Sequence, residues 1–364
     1  MVTPVPIAFS TGPRPDRIAS RESVVGSTAT PGPMPTDGPL IDRYGRVHDD
    51  LRISVTDRCN LRCTYCMPED GMTFLPRSAL LSFDEIVRIA RVARAVGVTS
   101  IRLTGGEPLI RRNLASLVAR LSALGFEDLA LTTNGTRLAA MAHQLVAAGL
   151  RRVNISCDSL RADRFASIRR RGDLDTVLHA MEVAEAAGLS PIKVNVVLLR
   201  GNNDDEILDF ASFARDTGRI VRFIEFMPLD AEGKWDRGQL VPGREVFEQI
   251  SAVWPLEPIE GLDGSAPAQR FRFADGHGEL GFISSVSEPF CGTCNRLRLT
   301  ADGAIRNCLF SDAEHGGRDL LRGGGTDAEL ANLLRQAVWG KLPGHGINEP
   351  GFLRPARSMS MIGG

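Results

Sequence analysis

A chain of 364 residues is long enough for one large α/β domain with an extension or for two ordinary domains. Its 43% of hydrophobic residues and net charge of -1 are typical of a soluble globular protein and exclude the basic field of a nucleic-acid-binding protein. No apolar run approaches the roughly 18 residues of a membrane-spanning helix, and no secretory signal is recognisable. We therefore expect a cytoplasmic protein that binds neither nucleic acid nor a membrane.

The N-terminal residues differ in composition from the rest. Residues 1–45 contain eight of the 21 prolines, separated by Gly, Ser and Thr, with little periodic hydrophobicity. We predict a disordered Pro/Gly-rich extension over 1–45, a barrel over 46–227 and a C-terminal region over 228–364.

Short apolar strands alternate with amphipathic helices from Leu51 onward, which is typical of a parallel α/β sheet or barrel. A capping box of Ser82 and Glu85 opens the first helix, and Gly97 ends it. Six such units predict an incomplete (β/α)6 TIM-like barrel. The predicted strands are 51–56, 99–104, 128–133, 151–157, 192–199 and 220–226.

The later part of the chain mixes element types. We predict helices over 204–216, 244–254 and 326–339, a hairpin over 270–284, and an irregular tail from Pro343.

One face of the predicted strands is persistently polar, although a barrel interior filled only for packing is mostly Val, Ile and Leu. The simpler alternative, that these residues are strand ends facing solvent, does not fit six strands in the same phase. The pattern therefore predicts a ligand chamber with cations pointing into it. The polar residues are Arg52, Ser54, Thr56, Arg102, Thr104, Thr132, Asn154, Ser156, Asp158, Lys193, Asn195 and Arg222.

Lysine is rare in this chain. Only Lys193, Lys234 and Lys341 occur among 43 basic residues, and Lys193 lies inside an apolar strand. We therefore single out Lys193.

Six of the seven cysteines fall into two sets of three, which favours metal ligation in a reducing compartment over disulfides. A four-iron cluster on three thiolates keeps one iron open, whereas structural zinc takes four ligands, so zinc would need a distant fourth ligand. We expect the seventh, Cys157, to be a buried small hydrophobic residue. The two sets are Cys59, Cys63 and Cys66, and Cys291, Cys294 and Cys308.

The first set, with Tyr65 before its last cysteine, resembles the radical S-adenosylmethionine (SAM) superfamily. A Gly105-Gly106-Glu107 motif follows the second strand, as it does in that superfamily. The resemblance implies a [4Fe-4S] cluster whose open iron binds SAM, and reductive cleavage of SAM to a 5′-deoxyadenosyl radical. It also implies SAM contacts at Tyr65, Gly105, Gly106, Glu107, Ser156 and Met227.

The second set resembles the C-terminal signature of the GTP 3′,8-cyclase (MoaA) family of molybdenum cofactor biosynthesis. The resemblance spans about 51–364 and includes 154–159, 170–172, 191–196, 200–205, 222–227 and 291–310. It implies a second [4Fe-4S] cluster that binds guanine, and an active-site role for the terminal Gly363 and Gly364. The implied product is (8S)-3′,8-cyclo-7,8-dihydroguanosine triphosphate. The implied GTP contacts are Arg52, Arg102, Thr132, Lys193, Arg222, Arg296, Leu297 and Arg298.

The chain has no GxxxxGK[ST] motif, so cationic side chains must replace a P-loop around the triphosphate. The family further implies MoaC as the downstream enzyme, a flavodoxin- or ferredoxin-type electron donor, and a homodimer or monomer. Two alternatives remain at this stage. One is a radical SAM peptide-modifying enzyme with an auxiliary cluster, and the other is a non-enzymatic zinc or iron-sulfur regulator.

Overall fold

The structure, a computed structural model, describes residues 32–260 and 264–363. The first 31 residues of the predicted extension therefore lie outside the described residues, as does Gly364. None of the helices in these ranges has both the length and the apolar composition needed to cross a bilayer.

Six parallel strands, each following the previous one in the sheet, form the body of the molecule, and all six predicted strands are confirmed. The strands are β1 (Asp50–Ser54), β2 (Ser100–Thr104), β3 (Asp128–Thr133), β4 (Arg152–Ser156), β5 (Ile192–Leu198) and β6 (Ile220–Glu225). The helices of this part are α1 (Phe83–Ala95), α2 (Leu114–Ser122), α3 (Leu138–Ala147), α4 (Ala162–Arg169), α5 (Leu174–Ala186) and α6 (Ile207–Thr217).

The rest of the chain adds further strands and helices. These elements are α7 (Gly243–Ser251), β7 (Leu256–Pro258), β8 (Gln269–Phe273), β9 (Glu279–Ile283), β10 (Arg296–Leu299), β11 (Ala304–Arg306), β12 (His315–Gly316), α8 (Gly317–Arg322), α9 (Asp327–Trp339) and α10 (Met359–Ile362). The predicted hairpin is β8 with β9, and the predicted late helices are α7 and α9.

The described strands form one sheet in the order β12-β11-β10-β1-β2-β3-β4-β5-β6-β9-β8-β7. The barrel is incomplete, as predicted, because its two edge strands, β12 and β7, do not pair with each other. β10 pairs parallel to β1, and β9 pairs parallel to β6. The C-terminal region thus continues the barrel sheet at both edges.

Helix α1 illustrates how local sequence sets the fold. The Ser82 hydroxyl accepts the Glu85 N–H at 3.1 Å, and the Glu85 carboxylate accepts the Ser82 N–H at 2.7 Å, so the predicted capping box is confirmed. Ile86 and Ile89 are buried against the sheet. Gly97, just past the helix, has a φ of +98°, a conformation that favours glycine.

The predicted disordered extension is wrong for its last residues. Leu40 is 1% exposed, donates its N–H to Val96 and accepts an N–H from His48. The Asp42 carboxylate accepts the N–H groups of Tyr44 and Arg46. Leu40 therefore attaches this segment to the end of α1, and the buried Asp42 carboxylate organises the turn that follows.

The carboxylate of Glu225, at the end of β6, joins the barrel to the C-terminal region. It is 2% exposed and accepts the N–H groups of Gly243 at 2.9 Å, Val286 at 2.7 Å and Ser287 at 2.8 Å. Bonds to a buried carboxylate are stronger than those between neutral groups. Glu225 therefore fixes the loops after β6 and β9 relative to each other.

Replacing Glu225 with Ala should lower the free energy of unfolding by about 3 kcal/mol, because several buried N–H groups lose their acceptor. Urea denaturation followed by circular dichroism measures the change. Glu248→Ala, at an exposed position of α7, is the matched control. Equal stability of the two variants would contradict this role for Glu225.

Candidate active site

A cavity of about 280 Å³ runs through the barrel and is lined by both cysteine sets. The first set follows the carboxyl end of β1, and the second set lies before the amino end of β10 and after β11. Because β1 and β10 are parallel neighbours, the two sets lie at opposite ends of the same strand pair, separated by about 16 Å of five-residue strand.

The first set is buried among polar groups that contact its sulfurs. The Leu61 N–H lies 3.4 Å from Cys59 Sγ, and Arg169 Nη1 lies 3.6 Å from Cys63 Sγ. Burial raises the pKa of Cys59 to about 12 and also raises the pKa values of Cys63 and Cys66. Metal ions in place of the protons would stabilise these thiolates.

Arg169 is a site residue that the sequence analysis missed. It is 2% exposed and pairs with Asp158 at 2.8 Å, and Asp158 also accepts the Tyr65 hydroxyl at 2.8 Å. Arg169 ends α4, where no motif singles it out. The network joins β4, α4 and the cysteine loop, so it fixes Cys63 and Tyr65 relative to the barrel.

The Gly105-Gly106-Glu107 loop packs closely against the first cysteine loop. A Cβ on Gly106 would lie 2.3 Å from Arg58 O, and one on Gly105 would lie 2.7 Å from Thr56 O, so neither position accommodates a side chain. The Glu107 carboxylate accepts bonds from Leu109 N, Thr133 Oγ1 and Asn134 N. Glu107 thus holds the loop, and its contact with SAM stays a prediction.

Three arginines form a row across neighbouring strands, since Arg52 is in register with both Arg298 and Arg102. Burial lowers the pKa of each guanidinium, and neighbouring arginines lower it further. The Nε atoms of Arg52, Arg102 and Arg296 have no hydrogen-bond partner among the residues described. Buried cations with unused donors form a site for a multiply charged anion.

Lys193 and Arg222 extend this cationic region. Burial, with Arg222 nearby, lowers the pKa of Lys193 to about 7, and burial, with Arg102 nearby, lowers the pKa of Arg222 to about 9. Arg222 lines the cavity and donates to the Asn195 amide oxygen at 2.6 Å and 2.9 Å. Lys193 is not among the residues lining the cavity and lies beside them.

The second set contains a thiol that ionises readily. Burial opposes ionisation of Cys294, but Arg296 and Lys341 outweigh it and lower its pKa to about 6. The Lys341 ammonium lies 3.2 Å from Cys294 Sγ. Sequence analysis missed this contact, although the rarity of lysine offered a signal.

Leu297 and the tail are placed differently from the arginines beside them. Leu297 is 0% exposed, in the core on the opposite strand face from Arg296 and Arg298, so its predicted substrate contact could involve only its backbone. Gly363 is buried, and its carbonyl accepts a bond from Arg298 Nη1 at 2.6 Å. A Cβ on Gly363 would lie 2.6 Å from Thr104 Oγ1.

The cavity brings together most of the residues predicted from sequence. Cys157 is fully buried, as expected. The predicted site residues that line the cavity are Arg52, Cys59, Cys63, Tyr65, Cys66, Arg102, Gly105, Gly106, Thr132, Ser156, Arg222, Met227, Cys291, Cys294, Arg296, Arg298 and Cys308.

The donor chemistry at both ends fits iron-sulfur clusters. Three thiols at each end face one wide cavity, and three cysteines leave a cluster iron open toward it. Within the described ranges, no three Cys, His, Asp or Glu side chains are grouped so that they could hold a single metal ion.

Comparison with known proteins agrees with this geometry. Residues 53–214 match the Radical SAM superfamily, and residues 219–347 match the Molybdenum Cofactor Synthesis C family. A GTP 3′,8-cyclase of Mycobacterium sp. strain KMS is 49% identical over 333 residues, covering 91% of this chain and 95% of the relative. This chain belongs to the GTP 3′,8-cyclase family. Another cyclase, from Corynebacterium glutamicum, is 45% identical and covers 97% of this chain and 98% of its own.

Solved structures share the fold of this cyclase-family chain. Streptococcus suis SuiB bound to S-adenosylmethionine has a TM-score of 0.53 at 15% identity, covering 82% of this chain and 68% of SuiB. The structure of anSMEcpe with bound AdoMet has a TM-score of 0.52 at 16% identity and covers 82% of each chain. At these identities the likeness establishes the radical SAM fold alone. As a radical SAM enzyme, the chain uses SAM and a [4Fe-4S] cluster.

The cationic region predicts stabilisation by anions. Inorganic triphosphate at 100 times its Kd should stabilise the fold by about 2.7 kcal/mol, because it binds the cations that only the folded chain brings together. Arg222→Met should lose much of the resulting rise in Tm. Arg120→Met, on the surface of α2, should keep it. An undiminished rise in Arg222→Met would remove Arg222 from the anion site.

Proposed function

We propose that this chain is a GTP 3′,8-cyclase that converts GTP to (8S)-3′,8-cyclo-7,8-dihydroguanosine 5′-triphosphate, the first step of molybdenum cofactor biosynthesis. The observation that supports this most strongly is the cavity with three cysteines at each end and, between them, buried arginines of which three have unused Nε donors. A nucleoside triphosphate has a base to meet one metal site, phosphates to meet arginines, and a ribose between them.

In this proposal Cys59, Cys63 and Cys66 hold the cluster that binds SAM. Reductive cleavage of bound SAM supplies the radical that takes a hydrogen from the substrate. The chain places SAM with the Gly105–Gly106 backbone, Tyr65, Ser156 and Met227, which line the cavity near this set. Arg169 and Asp158 hold Tyr65 and the cysteine loop in place.

Cys291, Cys294 and Cys308 would hold a second [4Fe-4S] cluster, which would keep one iron available to bind the guanine. The triphosphate is bound by Arg52, Arg102, Lys193, Arg222, Arg296 and Arg298, whose buried charges it neutralises. Thr132 contacts the nucleotide from β3. The terminal Gly363 and Gly364 act in the active site, as the family implies, and help to position the ribose.

The proposal includes partners. The cyclic product passes to MoaC, which forms cyclic pyranopterin monophosphate, and a flavodoxin- or ferredoxin-type protein supplies electrons. The enzyme works in the cytoplasm as a monomer or a homodimer.

A peptide-modifying radical SAM enzyme with an auxiliary cluster is the main alternative. Among the described residues, Arg102 and Arg296 have no carboxylate within 4.0 Å, and Arg52 has only Asp50, at 4.0 Å. These buried cations disfavour a peptide substrate, because a peptide backbone carries no charge to neutralise them. The non-enzymatic zinc or iron-sulfur regulator is disfavoured by the cyclase family membership.

Anaerobic reconstitution with iron and sulfide, followed by incubation with GTP, SAM and a reductant, tests the function. Liquid chromatography with ultraviolet and mass detection should show a new product that has the mass of GTP but a different ultraviolet spectrum. It should also show 5′-deoxyadenosine. SAM cleavage with GTP recovered unchanged would contradict the proposal and favour the peptide alternative.

Two substitutions test the SAM site and the GTP site of the cavity independently. Cys63→Ala should abolish SAM cleavage, because the first cluster loses a ligand. Arg296→Ala should retain iron but bind GTP at least tenfold more weakly, since it removes a buried cation. Arg272→Ala, exposed and paired with Glu257, is the control. Intact SAM cleavage in Cys63→Ala, or unchanged GTP affinity in Arg296→Ala, would contradict these assignments.

The lowered pKa of Lys193 predicts that GTP binding is coupled to proton uptake. With its pKa lowered to about 7 by burial, Lys193 is mostly neutral at pH 8.5 before ligand binds. The triphosphate favours the charged form and raises this pKa, so GTP binding should take up a proton at pH 8.5. Calorimetry in buffers of different ionisation enthalpy measures the uptake. Lys193→Arg, already charged at this pH, should take up much less, because only groups such as Arg222, with its pKa lowered to about 9, can still gain protons. Equal uptake in both proteins would contradict the role.

A further inference from the structure

Lys341 lies just beyond α9 and is 4% exposed. Its Nζ is 3.0 Å from Arg296 O, 3.2 Å from Cys294 Sγ and 3.3 Å from Cys294 O. An ammonium group has three N–H donors and no acceptor. The side chain thus has one acceptor for each donor, and one acceptor is the sulfur of a second-set cysteine.

Lysine is rare in this chain, so its presence at this buried contact is notable. Arginine supplies nearly all of the 43 basic residues, yet lysine stands at this buried position. A planar guanidinium fork suits two parallel acceptors and cannot direct three donors around a compact point. The three-acceptor pocket therefore requires a lysine.

Nothing on the described chain neutralises this ammonium by an ion pair. No carboxylate of those residues lies within 4.0 Å of Lys341 Nζ, the ion-pair distance. Arg169 at the first set differs, because it is paired with Asp158 at 2.8 Å and lies farther from its sulfur, at 3.6 Å. The positive charge of Lys341 is therefore directed at the second cysteine set.

A neighbouring arginine fixes the backbone that carries Lys341. Arg46 Nη2 donates to Leu342 O at 2.7 Å, and Arg46 Nη1 donates to Pro343 O at 3.0 Å and Cys291 O at 2.7 Å. Asp42 in turn accepts Arg46 Nε at 2.5 Å. The backbone after α9 and the Cys291–Cys294 loop are thus held together, which keeps the base of the Lys341 side chain beside the second cysteine set.

We propose that Lys341 is a positioning residue of the second cysteine set, which holds the Cys294 thiolate and raises the reduction potential of the cluster bound there. This inference rests on the proposed second [4Fe-4S] cluster. Hydrogen bonds to ligand sulfurs and nearby positive charge both favour the reduced cluster, which carries one more negative charge.

The test uses the full chain with Cys59, Cys63 and Cys66 changed to Ala, so that only the second cluster assembles. With Lys341 present, this chain should bind about four iron atoms. Lys341→Met, of similar length but without charge or donors, should retain the iron and shift the midpoint potential to a more negative value. Lys341→Arg should shift it less, because the charge remains. Lys234→Met, exposed and far along the chain, is the control and should not shift it.

The outcomes are distinguishable in potentiometric titrations followed by electron paramagnetic resonance. An unchanged potential with full iron content in Lys341→Met would overturn the inference and leave the second cluster standing. Failure of the Lys341-containing chain to bind iron would overturn the cluster and the inference together. If Lys341→Met loses iron, the same substitution is made with all cysteines present. Retention of about four iron atoms there supports positioning, whereas loss of all iron shows a general folding defect and overturns it.

Discussion

The parallel pairing of β1 with β10 is the constraint on which the rest of the site depends. It joins residues almost 250 positions apart, with Asp50 in register with Arg296 and Arg52 in register with Arg298. The same pairing separates the two cysteine sets by the length of one strand and places the arginine row between them. A shift of one residue would turn Arg298 toward the core and Leu297 toward the cavity.

The site contains buried charges that are compensated in different ways. At the first cysteine set, Arg169 is neutralised by Asp158, so the network there is nearly neutral and mainly fixes geometry. In the middle, the arginines repel one another and keep unused donors, which suits a substrate that supplies the missing negative charge. At the second set, Lys341 contacts the Cys294 thiol and forms no ion pair with a carboxylate of the described residues. The cavity thus has a nearly neutral end at the first cysteine set, a site for a polyanion in the middle and a cationic end at the second cysteine set.

Sequence was sufficient for the features that depend on local pattern. Alternation along the strands predicted both the six-stranded barrel and the polar face, because a strand that buries one side must direct the other into the barrel. Cysteine spacing predicted the two sets of three thiols, and both sets line the cavity. The capping box at Ser82 predicted the start of α1.

Features that depend on distant pairing could not be read from the sequence. Lys341 and Arg169 stand alone in their segments, and only the fold shows that they contact Cys294 and Cys63. Leu40 and Asp42 fall within the segment predicted to be disordered, because a proline-rich composition does not reveal the bond from Leu40 to Val96 or the buried pair of Asp42 with Arg46. The parallel pairings that continue the barrel sheet at both edges, β6 with β9 and β1 with β10, also could not be predicted, because they join strands far apart in the chain.

The central claim is that one cavity brings the SAM site and the substrate ribose together. Deuterium transfer from GTP labelled at the 3′ carbon tests this directly, with mass spectrometry of the 5′-deoxyadenosine formed in a single turnover. The proposed 3′,8-cyclisation predicts that the label appears in 5′-deoxyadenosine and is absent from that carbon of the product. Unlabelled 5′-deoxyadenosine, formed while the label stays on GTP, would contradict the account.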